Sequence, residues 1–513
     1  MRWVLIRPLN RSLYYDPEIQ EPLGIEYIGA VLKRLNCSVL ILDSALDGLS
    51  DERLARRTVS FEPDAIGFSI TTDRELQSVA NVYRLCQELG GPKEYLWMAG
   101  GNFPTSETDK ALRFLPAEFH LIKYEGELVV ERLYRQWKDG ACQGWPRLVE
   151  GEAVTNLDML PFPLRPYTHY LLNYGWAFNL QGSRGCCSTC RYCASRGMRA
   201  RNGAQWRGRS AESMAVEMEY LYDKYHARTF NFVDEDFLGP PLLSVVRAEE
   251  FSKEIANRNL FLTFGIQIRP NSLSEETIKW LTAAGLKYVF MGIESDNPSD
   301  FTAWGRSYCP DTWKWVELLQ KNGVEVNVGT LLFHPESTPE GIRSFAGKLY
   351  SHGLFNYRTA INRLDAMPGS LFHEQYSKVG NDGKDLSGIF ALPFKYSGME
   401  QFYKNVLRVL APIEIPSMHG LCALPIAQTK RIFGKNEEIY QRLKGINIKC
   451  DERVSQCFFE LLDLFESGSA QEETIMRLLS ENRTFSKSIA NVLIESGFVR
   501  APETLLEAMR NEQ

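Results

Sequence analysis

The first 150 residues alternate short apolar runs with segments of helical periodicity. Val4-Leu5-Ile6 and Val39-Leu40-Ile41-Leu42 predict two strands, and three more are predicted at residues 65–70, 95–99 and 119–122. Between the strands, apolar side chains recur every three to four residues, which is typical of amphipathic helices. Five such strand–helix units predict an α/β domain with a Rossmann-like, doubly wound parallel sheet and helices on both faces.

Ligands of such sheets bind beyond the carboxyl ends of the strands. The candidate ligand loops are therefore residues 8–24, 69–72, 100–105 and 124–127. The pair Gly100-Gly101 lets the backbone approach a ligand closely, although it also suits a tight strand–helix turn. Because the chain contains no GxGxxG motif, a nicotinamide dinucleotide site is disfavoured.

A second set of strand–helix units follows a proline-rich stretch at residues 157–166, which predicts an extended connector. One strand is expected just before Cys186, and Ser274 begins a helix as its cap. Six units in about 180 residues predict a partial (β/α)6 TIM-type barrel, whose active site would lie at the carboxyl ends of its strands. The later strands are expected at residues 229–233, 262–268, 288–293, 324–332 and 357–362.

The last 140 residues predict a small, mainly helical domain. The pattern is irregular from Phe390 to Met418, and an apolar helical face then runs from Val454 to Phe465. Further helices are expected at residues 474–479 and 486–496. The expected boundaries are 1–150 for the sheet domain, 151–178 for the linker, 179–375 for the barrel and 376–513 for the helical domain.

Composition narrows the function classes. Fifty-eight basic and 64 acidic residues give a net charge of −6, which argues against nucleic-acid binding driven by bulk charge. No apolar run reaches the roughly 20 residues that span a bilayer, and the start of the chain is too polar for a signal peptide. A cytoplasmic location without membrane association is expected. Eleven cysteines, an odd number, argue against a disulfide scaffold, and the scattered ones are expected to be small buried hydrophobes.

Four cysteines lie within eight positions and carry the main chemical signal. The spacing Cys186-x3-Cys190-x2-Cys193 places three soft thiolates in one short loop. Iron–sulfur clusters are held by cysteine thiolates, whereas structural zinc requires four ligands in a closed shell. Because Cys187 is adjacent to Cys186, it is badly placed as a fourth ligand. The spacing favours an iron–sulfur cluster over a zinc site or an incidental grouping.

This motif, with Tyr192 just before the last cysteine, resembles that of the radical S-adenosylmethionine (SAM) enzymes. The resemblance implies that Cys186, Cys190 and Cys193 bind a 4Fe-4S cluster whose open iron is chelated by SAM. It also implies reductive cleavage of SAM to a 5′-deoxyadenosyl radical that abstracts a hydrogen atom.

The same resemblance assigns SAM-binding roles to polar residues where the barrel strands end. Asp234 or Asp236 would meet the amino group, Arg269 would pair with the carboxylate, and Glu294 would bind the ribose hydroxyls. Gln267 and Asn327 are further candidates, whereas His334 has no obvious metal partner. Pro368-Gly369-Ser370 resembles the segment that closes such a barrel.

Residues 1–375 as a whole resemble the cobalamin-dependent branch of that family. The elements that carry the likeness are Pro22-Leu23-Gly24, the loops at 100–105 and 124–127, and the proline-rich connector. The resemblance implies that the sheet domain binds cobalamin, with its nucleotide tail entering the sheet domain. The implied cobalamin-binding residues are Ser69, Thr71, Gly100, Gly101, Asn102, Glu125 and Gly126.

One departure concerns the lower face of the cobalt. The Asp-x-His-x-x-Gly motif is absent, and no histidine precedes His120. An imidazole from that loop therefore cannot be the lower ligand, which leaves another side chain, water or no ligand. Arg11, Tyr14 and Tyr15 are candidates to pack there. A degenerate domain that no longer binds cobalamin is the alternative.

The leading functional hypothesis is a cobalamin-dependent radical SAM C-methyltransferase that acts on a small-molecule or natural-product intermediate, as in antibiotic biosynthesis. It would use a 5′-deoxyadenosyl radical and methylcobalamin. The alternatives are a radical rearrangement, ring contraction or sulfur insertion, or an iron–sulfur electron-transfer protein. The expected partners are a small-molecule substrate, which a carrier could present, and an electron donor such as flavodoxin or ferredoxin. The catalytic residues are not identified.

Overall fold

The computed structural model describes residues 1–9, 21–91, 93–139, 145–174, 176–199, 205–377, 389–419 and 437–495. The chain divides into two compact units. The first comprises Met1–Leu243, Glu250–Leu262 and Met367–Phe390, and the second comprises Ser244–Glu249, Thr263–Ala366 and Ala391–Gln513.

The first unit contains a six-stranded sheet, and its neighbouring strands pair in parallel. All five predicted strands are present, and Leu148–Glu150 adds a sixth that is too short for an apolar pattern to reveal. The strands are β1 (Arg2–Arg7), β2 (Ser38–Asp43), β3 (Ala65–Ser69), β4 (Leu96–Gly100), β5 (Phe119–Lys123) and β6 (Leu148–Glu150), in the order β2-β1-β3-β4-β5-β6.

Helices cover both faces of this sheet, as predicted. Along β1, Val4 and Ile6 pack in one core cluster, whereas Trp3 and Leu5 pack in another, because successive strand side chains point to opposite faces. The helices are α1 (Leu23–Arg34), α2 (Ser44–Asp47), α3 (Asp51–Ser60), α4 (Leu76–Gly90), α5 (Asn102–Ser106), α6 (Thr108–Phe114) and α7 (Glu127–Lys138).

The remainder of the first unit begins with the proline-rich connector. Strands β7 and β10 pair in parallel, while β8 and β9 form an antiparallel ribbon. The elements are α8 (Thr168–Tyr174), β7 (Phe178–Leu180), β8 (Ser183–Gly185), β9 (Trp206–Gly208), α9 (Ala211–Tyr225), β10 (Thr229–Phe232) and most of α10 (Pro241–Asn257).

The second unit contains a parallel sheet in which β12 lies between β11 and β13. The Ser274 hydroxyl accepts a hydrogen bond from the Thr277 amide at 3.1 Å, which confirms the predicted helix cap. The elements are β11 (Thr263–Ile268), α11 (Glu275–Ala283), β12 (Leu286–Glu294), α12 (Pro298–Trp304), α13 (Thr312–Lys321), β13 (Glu325–Thr330), α14 (Pro339–Ser351), α15 (Tyr357–Ile361) and β14 (Asp365–Ala366).

The prediction of a strand at residues 357–362 is wrong, because α15 occupies this segment. Asn356 caps the helix: its side chain accepts from the Thr359 amide at 3.1 Å, and the Thr359 hydroxyl accepts from the Asn356 amide at 2.8 Å. This reciprocal cap stabilises a helical turn. Only a single bridge between Phe333 and Arg363 remains where a sixth strand was expected.

Helices dominate the end of the chain, as predicted, but their bounds differ. After α16 (Leu371–Tyr376), which belongs to the first unit, and β15 (Phe390–Ala391) come α17 (Met399–His419), α18 (Glu437–Glu466) and α19 (Glu472–Glu495). Helix α17 continues through Pro412, where a sequence pattern predicts a break. Asn482 and Ser486 of α19 donate to the carbonyls of Val409 and Pro412, so packing between the two helices stabilises the interrupted turn.

Helix α19 replaces two predicted helices. Among the polar residues between them, Arg483 and Thr484 face solvent and Asn482 packs against α17, and none of them ends the helix. Within the described ranges, every helix is too short or too polar to cross a membrane.

The scattered cysteines are buried where the structure describes them, as expected. They are Cys37, Cys86, Cys309, Cys450 and Cys457, whereas Cys142 and Cys422 lie outside the described residues.

Candidate functional site

The predicted cluster ligands lie in the loop of the β8–β9 ribbon. This ribbon pairs Ser183 with Gly208, and Cys186 follows β8 directly. Cys190 is buried, while Cys186 and Cys193 are partly exposed. None of these three described cysteines forms a disulfide, so each sulfur can serve as a ligand.

The loop folds two of these sulfur atoms around Ser188. The Ser188 amide donates to Cys186 Sγ at 3.4 Å, and the Ser188 hydroxyl lies 3.0 Å from Cys190 Sγ. Arg199 donates to the Ser188 carbonyl at 3.2 Å. These contacts hold Ser188 in place beside two predicted ligands.

The donor set fits an iron–sulfur cluster better than a single metal ion. Among the described residues, no three side chains of His, Cys, Asp or Glu converge on one ion. A structural zinc ion would need four ligands around a single point. In a 4Fe-4S cluster each thiolate binds its own iron, so three separated thiols in one loop are a suitable set.

The acidic residues after β10 hold the ribbon through its backbone. Asp234 Oδ1 accepts from the Gly182 amide at 2.8 Å, and Glu235 Oε2 accepts from the Gly185 amide at 3.1 Å. The carbonyl of Asp236 accepts from two ribbon side chains at 3.1 and 2.7 Å. These contacts position the ribbon, and the SAM-binding roles of Asp234 and Asp236 stay predictions.

The segment that contains Gly369 packs against the cysteine loop. A Cβ on Gly197 would lie 2.7 Å from the Cα atom of Gly369, so the two backbones approach closely. Just beyond, the Phe372 amide donates to the Arg191 carbonyl at 3.1 Å. The loop is therefore supported by a segment far away in the sequence.

A cavity of about 330 Å³ lies in the first unit, and residues from all four predicted ligand loops line it. Thr71 does not line the cavity: its hydroxyl donates to Glu75 at 2.6 Å, beside the capping box that Thr72 and Glu75 form. The other predicted cobalamin-binding residues all line it, namely Ser69, Gly100, Gly101, Asn102, Glu125 and Gly126. Arg11, Tyr14 and Tyr15 lie outside the described residues.

Glycines leave space along the wall of this cavity. A Cβ on Gly24 would meet nothing within 4 Å, and one on Gly100 would make only ordinary contacts. Gly101 differs, because its φ is +112° and a Cβ would lie 2.6 Å from the Ile70 carbonyl oxygen. Gly101 is thus required by its own turn, whereas Gly24 and Gly100 leave room for a ligand.

The deeper wall of the cavity is apolar and belongs to the core between the sheet and helices α1 and α7. Gly24 and Gly100 thus form an open glycine rim above an apolar slot, the deeper wall. This arrangement suits a large ligand with a hydrophobic end, and cobalamin is such a ligand. The lining residues that belong to this core are Trp3, Leu5, Ile25, Ile28, Met98, Ile122 and Val130.

Ion pairs join the cysteine ribbon to one of the cavity loops. Arg184 lies 3.0 Å from Glu125 Oε2 and 2.6 Å from Glu127 Oε1, and Arg207 also pairs with Glu125. Burial alone would raise the pKa of Glu125, but the hydrogen bond from Arg207 and the charge of Arg184 lower it below its ordinary value. The Glu125 carboxylate is thus engaged with the ribbon, and its role in cofactor binding stays a prediction.

The sequence reasoning missed these two arginines and Glu235, which also line the cavity. A partial signal existed for Arg184, which lies inside Gly182-Ser183-Arg184-Gly185, directly before the cysteines. No signal in the sequence pointed to Arg207, because its partner Glu125 is 82 positions away.

A buried charge network anchors the connector. Arg165 pairs with Glu21 and with Glu217, each at 2.8 Å, and all three side chains are almost fully buried. Burial raises the pKa of Glu21, while the charge of Arg165 opposes that shift. Arg209 completes the network by pairing with Glu217 at 2.5 Å.

The predicted SAM residues of the second unit lie on or beside the strands named for them. Gln267 is exposed on β11, and Arg269 follows that strand and donates to Ser272 Oγ at 3.2 Å. On β13, the Asn327 amide nitrogen donates to the Tyr288 hydroxyl at 3.3 Å.

Glu294 ends β12 in a left-handed conformation, with φ +68°. Arg306 donates to its Oε1 at 2.7 Å. Such a conformation in a non-glycine residue is strained and is held by its surroundings. His334 Nε2 lies 3.5 Å from Asp300 Oδ2, and burial lowers the pKa of this histidine.

Two family profiles match the chain. One, described as the radical SAM superfamily, matches residues 180–349, and the other, a B12 binding domain, matches residues 16–134. The chain belongs to the radical SAM enzymes that carry a B12-binding domain. The radical SAM domain implies a 4Fe-4S cluster and SAM, and the B12-binding domain implies cobalamin, so the three predicted cofactors are confirmed.

Two curated proteins are similar to this radical SAM chain. The anaerobic magnesium-protoporphyrin IX monomethyl ester cyclase of Synechocystis sp. is 25% identical over 325 residues, which cover 58% of this chain and 62% of that protein. The cytidylyl-2-hydroxyethylphosphonate methyltransferase of Streptomyces wedmorensis is 23% identical over 296 residues, covering 45% and 54%. The match thus spans less than two thirds of each relative.

A solved structure confirms the fold. It is that of the cobalamin-dependent SAM radical enzyme OxsB with aqua-cobalamin and SAM bound. The TM-score is 0.75 at 14% identity, and the match covers all of this chain and 83% of OxsB.

Proposed function

We propose that this chain is a radical SAM methyltransferase that attaches a methyl group to carbon in a small-molecule or natural-product intermediate. The observation that carries the proposal is that the B12-domain loops and the cysteine ribbon line the same cavity. Its wall combines the B12-domain loops with residues of the cysteine ribbon, and Arg184 ties the two together through Glu125 and Glu127. Loops for a methyl carrier thus lie beside the loop for a radical-generating cluster.

The chain's residues would act by binding, positioning and excluding water. Cys186, Cys190 and Cys193 would hold the cluster, and the glycine rim with its apolar slot would hold cobalamin. Arg269 would pair with the SAM carboxylate. When bound, the cluster with SAM supplies a radical that removes a hydrogen atom, and cobalamin supplies the methyl group.

The methyltransferase relative supports this proposal by its name, and the cyclase relative favours a second candidate. The match to the cyclase is longer, so a radical cyclisation or rearrangement without methyl transfer is the alternative. Both reactions would use the same cluster and SAM residues and would need an external one-electron donor such as flavodoxin or ferredoxin.

An anaerobic incubation of the reconstituted protein with SAM and a reductant tests the proposal. Methyl transfer predicts both 5′-deoxyadenosine and S-adenosylhomocysteine among the products. 5′-Deoxyadenosine alone would favour the cyclase-like alternative, and the absence of both products would contradict radical SAM activity. The Cys190→Ala variant is the control and should form no 5′-deoxyadenosine.

A further inference from the structure

Trp3 lines the cavity and carries a buried, unpaired hydrogen-bond donor. The side chain is 1% exposed and lines the cavity wall. Its indole Nε1 has no hydrogen-bond partner among the residues that the structure describes. A buried donor without an acceptor destabilises the protein. A ligand that supplies an acceptor should therefore bind more tightly than a similar ligand that lacks one.

The register of the sheet places Trp3 deep below the ligand loops. Trp3 pairs with Ala65, four residues before Ser69 on the neighbouring strand. At about 3.3 Å per residue, the backbone of Trp3 lies roughly 13 Å below the loop edge. The surrounding side chains, including Leu5, Met98 and Val130, are apolar. The apolar neighbours favour a narrow, largely apolar group at this depth, and the unpaired indole favours a group that also carries a hydrogen-bond acceptor.

We propose that the Trp3 indole donates a hydrogen bond to the free ring nitrogen of the dimethylbenzimidazole of cobalamin. This inference rests on the proposed function, in which the cavity holds cobalamin. A dimethylbenzimidazole detached from cobalt has an apolar ring and one unpaired nitrogen acceptor, which match the slot and its unpaired donor. Each group satisfies the other, and neither has to be buried without a partner.

A binding experiment compares the Trp3→Phe variant with the wild type for three ligands that differ in the lower base. Aquacobalamin carries the ring nitrogen, a cobamide with a phenol as lower base lacks it, and cobinamide lacks the whole base. We expect the substitution to weaken binding of aquacobalamin about tenfold. Affinities for the phenol cobamide and for cobinamide should stay equal in variant and wild type.

Trp97→Phe is the matched control. Trp97 is also fully buried in this sheet, but it packs in the other core cluster and does not line the cavity. This variant should bind all three ligands as the wild type does. Retained cobinamide binding shows that Trp3→Phe is folded.

Two results would overturn the inference. One is an unchanged affinity of Trp3→Phe for aquacobalamin, and the other is an equal loss for all three ligands. If the wild-type protein binds none of them, the proposed cobalamin site fails, and the inference fails with it.

Discussion

The four cysteines of the ribbon loop differ in their expected importance. Replacing Cys186, Cys190 or Cys193 by alanine should abolish binding of the 4Fe-4S cluster, because each thiolate ligates one iron. Cys187→Ala should retain the cluster, since the motif already supplies three ligands. Iron and sulfide content together with the cluster absorbance provide the measurement. An intact cluster in Cys190→Ala would refute the assignment.

Ser188 is expected to tune the cluster. Once Cys190 binds iron as a thiolate, its sulfur can only accept, so the Ser188 hydroxyl must donate across the 3.0 Å contact. Hydrogen bonds to ligand sulfurs stabilise the reduced cluster and thus raise its reduction potential. Ser188→Ala should lower the midpoint potential in a redox titration followed by electron paramagnetic resonance.

Ser188→Thr is the matched control because it keeps the hydroxyl group. Its potential should stay near that of the wild type. Equal potentials in the alanine variant and the wild type would mean that the hydroxyl makes no such bond in the loaded protein.

At the scale of elements, helix α1 allows a clean test of the cavity. Gly24→Phe adds a ring at a helical position where a Cβ meets nothing within 4 Å. The ring should occupy cavity space and weaken cobalamin binding at least tenfold while iron content is unchanged. Gly101 is unsuitable for this test, because any side chain there would meet the Ile70 carbonyl.

The matched control is Gly347→Phe on helix α14, where a Cβ likewise meets nothing within 4 Å and no cavity residue is involved. Cobalamin and iron should both bind normally in this variant. Full cobalamin occupancy in soluble Gly24→Phe would place the ligand elsewhere.

The connector is stabilised by the buried network around Arg165. Removing one member of a buried ion pair leaves the other charges unpaired, so Arg165→Met should lower the free energy of unfolding by about 3–5 kcal/mol. Urea denaturation followed by circular dichroism measures this change. Arg343→Met is the control: its partners Asp463 and Glu466 are more exposed, and the expected loss is below about 1 kcal/mol. Similar losses in both variants would contradict the role of burial.

At the scale of the whole molecule, cobalamin is expected to bind with its base off the cobalt and with no histidine in place of that base. No histidine precedes His120, and none of the described residues lining the cavity is a histidine. The electron paramagnetic resonance spectrum of the cobalt(II) form should therefore lack strong superhyperfine splitting from an axial nitrogen. Strong splitting would show an axial nitrogen ligand that this arrangement does not supply.

Features that depend on neighbouring positions were readable from the sequence alone. The cysteine spacing, the glycine pair at 100–101 and the helix cap at Ser274 each involve only a few consecutive residues. Strands of the first sheet were also predictable, because a buried parallel strand must be apolar along most of its length. These local signals were sufficient for the α/β class, the family and the cofactors.

Features that depend on distant residues were decided only by the tertiary structure. The pairing of Arg184 with Glu125 joins residues 59 positions apart, and neither residue has a local pattern that names the other. The strand expected at residues 357–362 became α15 because its cap outweighed the apolar pattern. Trp3 looks like any core residue in the sequence. Only the folded sheet places its unpaired indole in the cavity wall, because burial and hydrogen-bond partners are properties of packed neighbours and not of chain order.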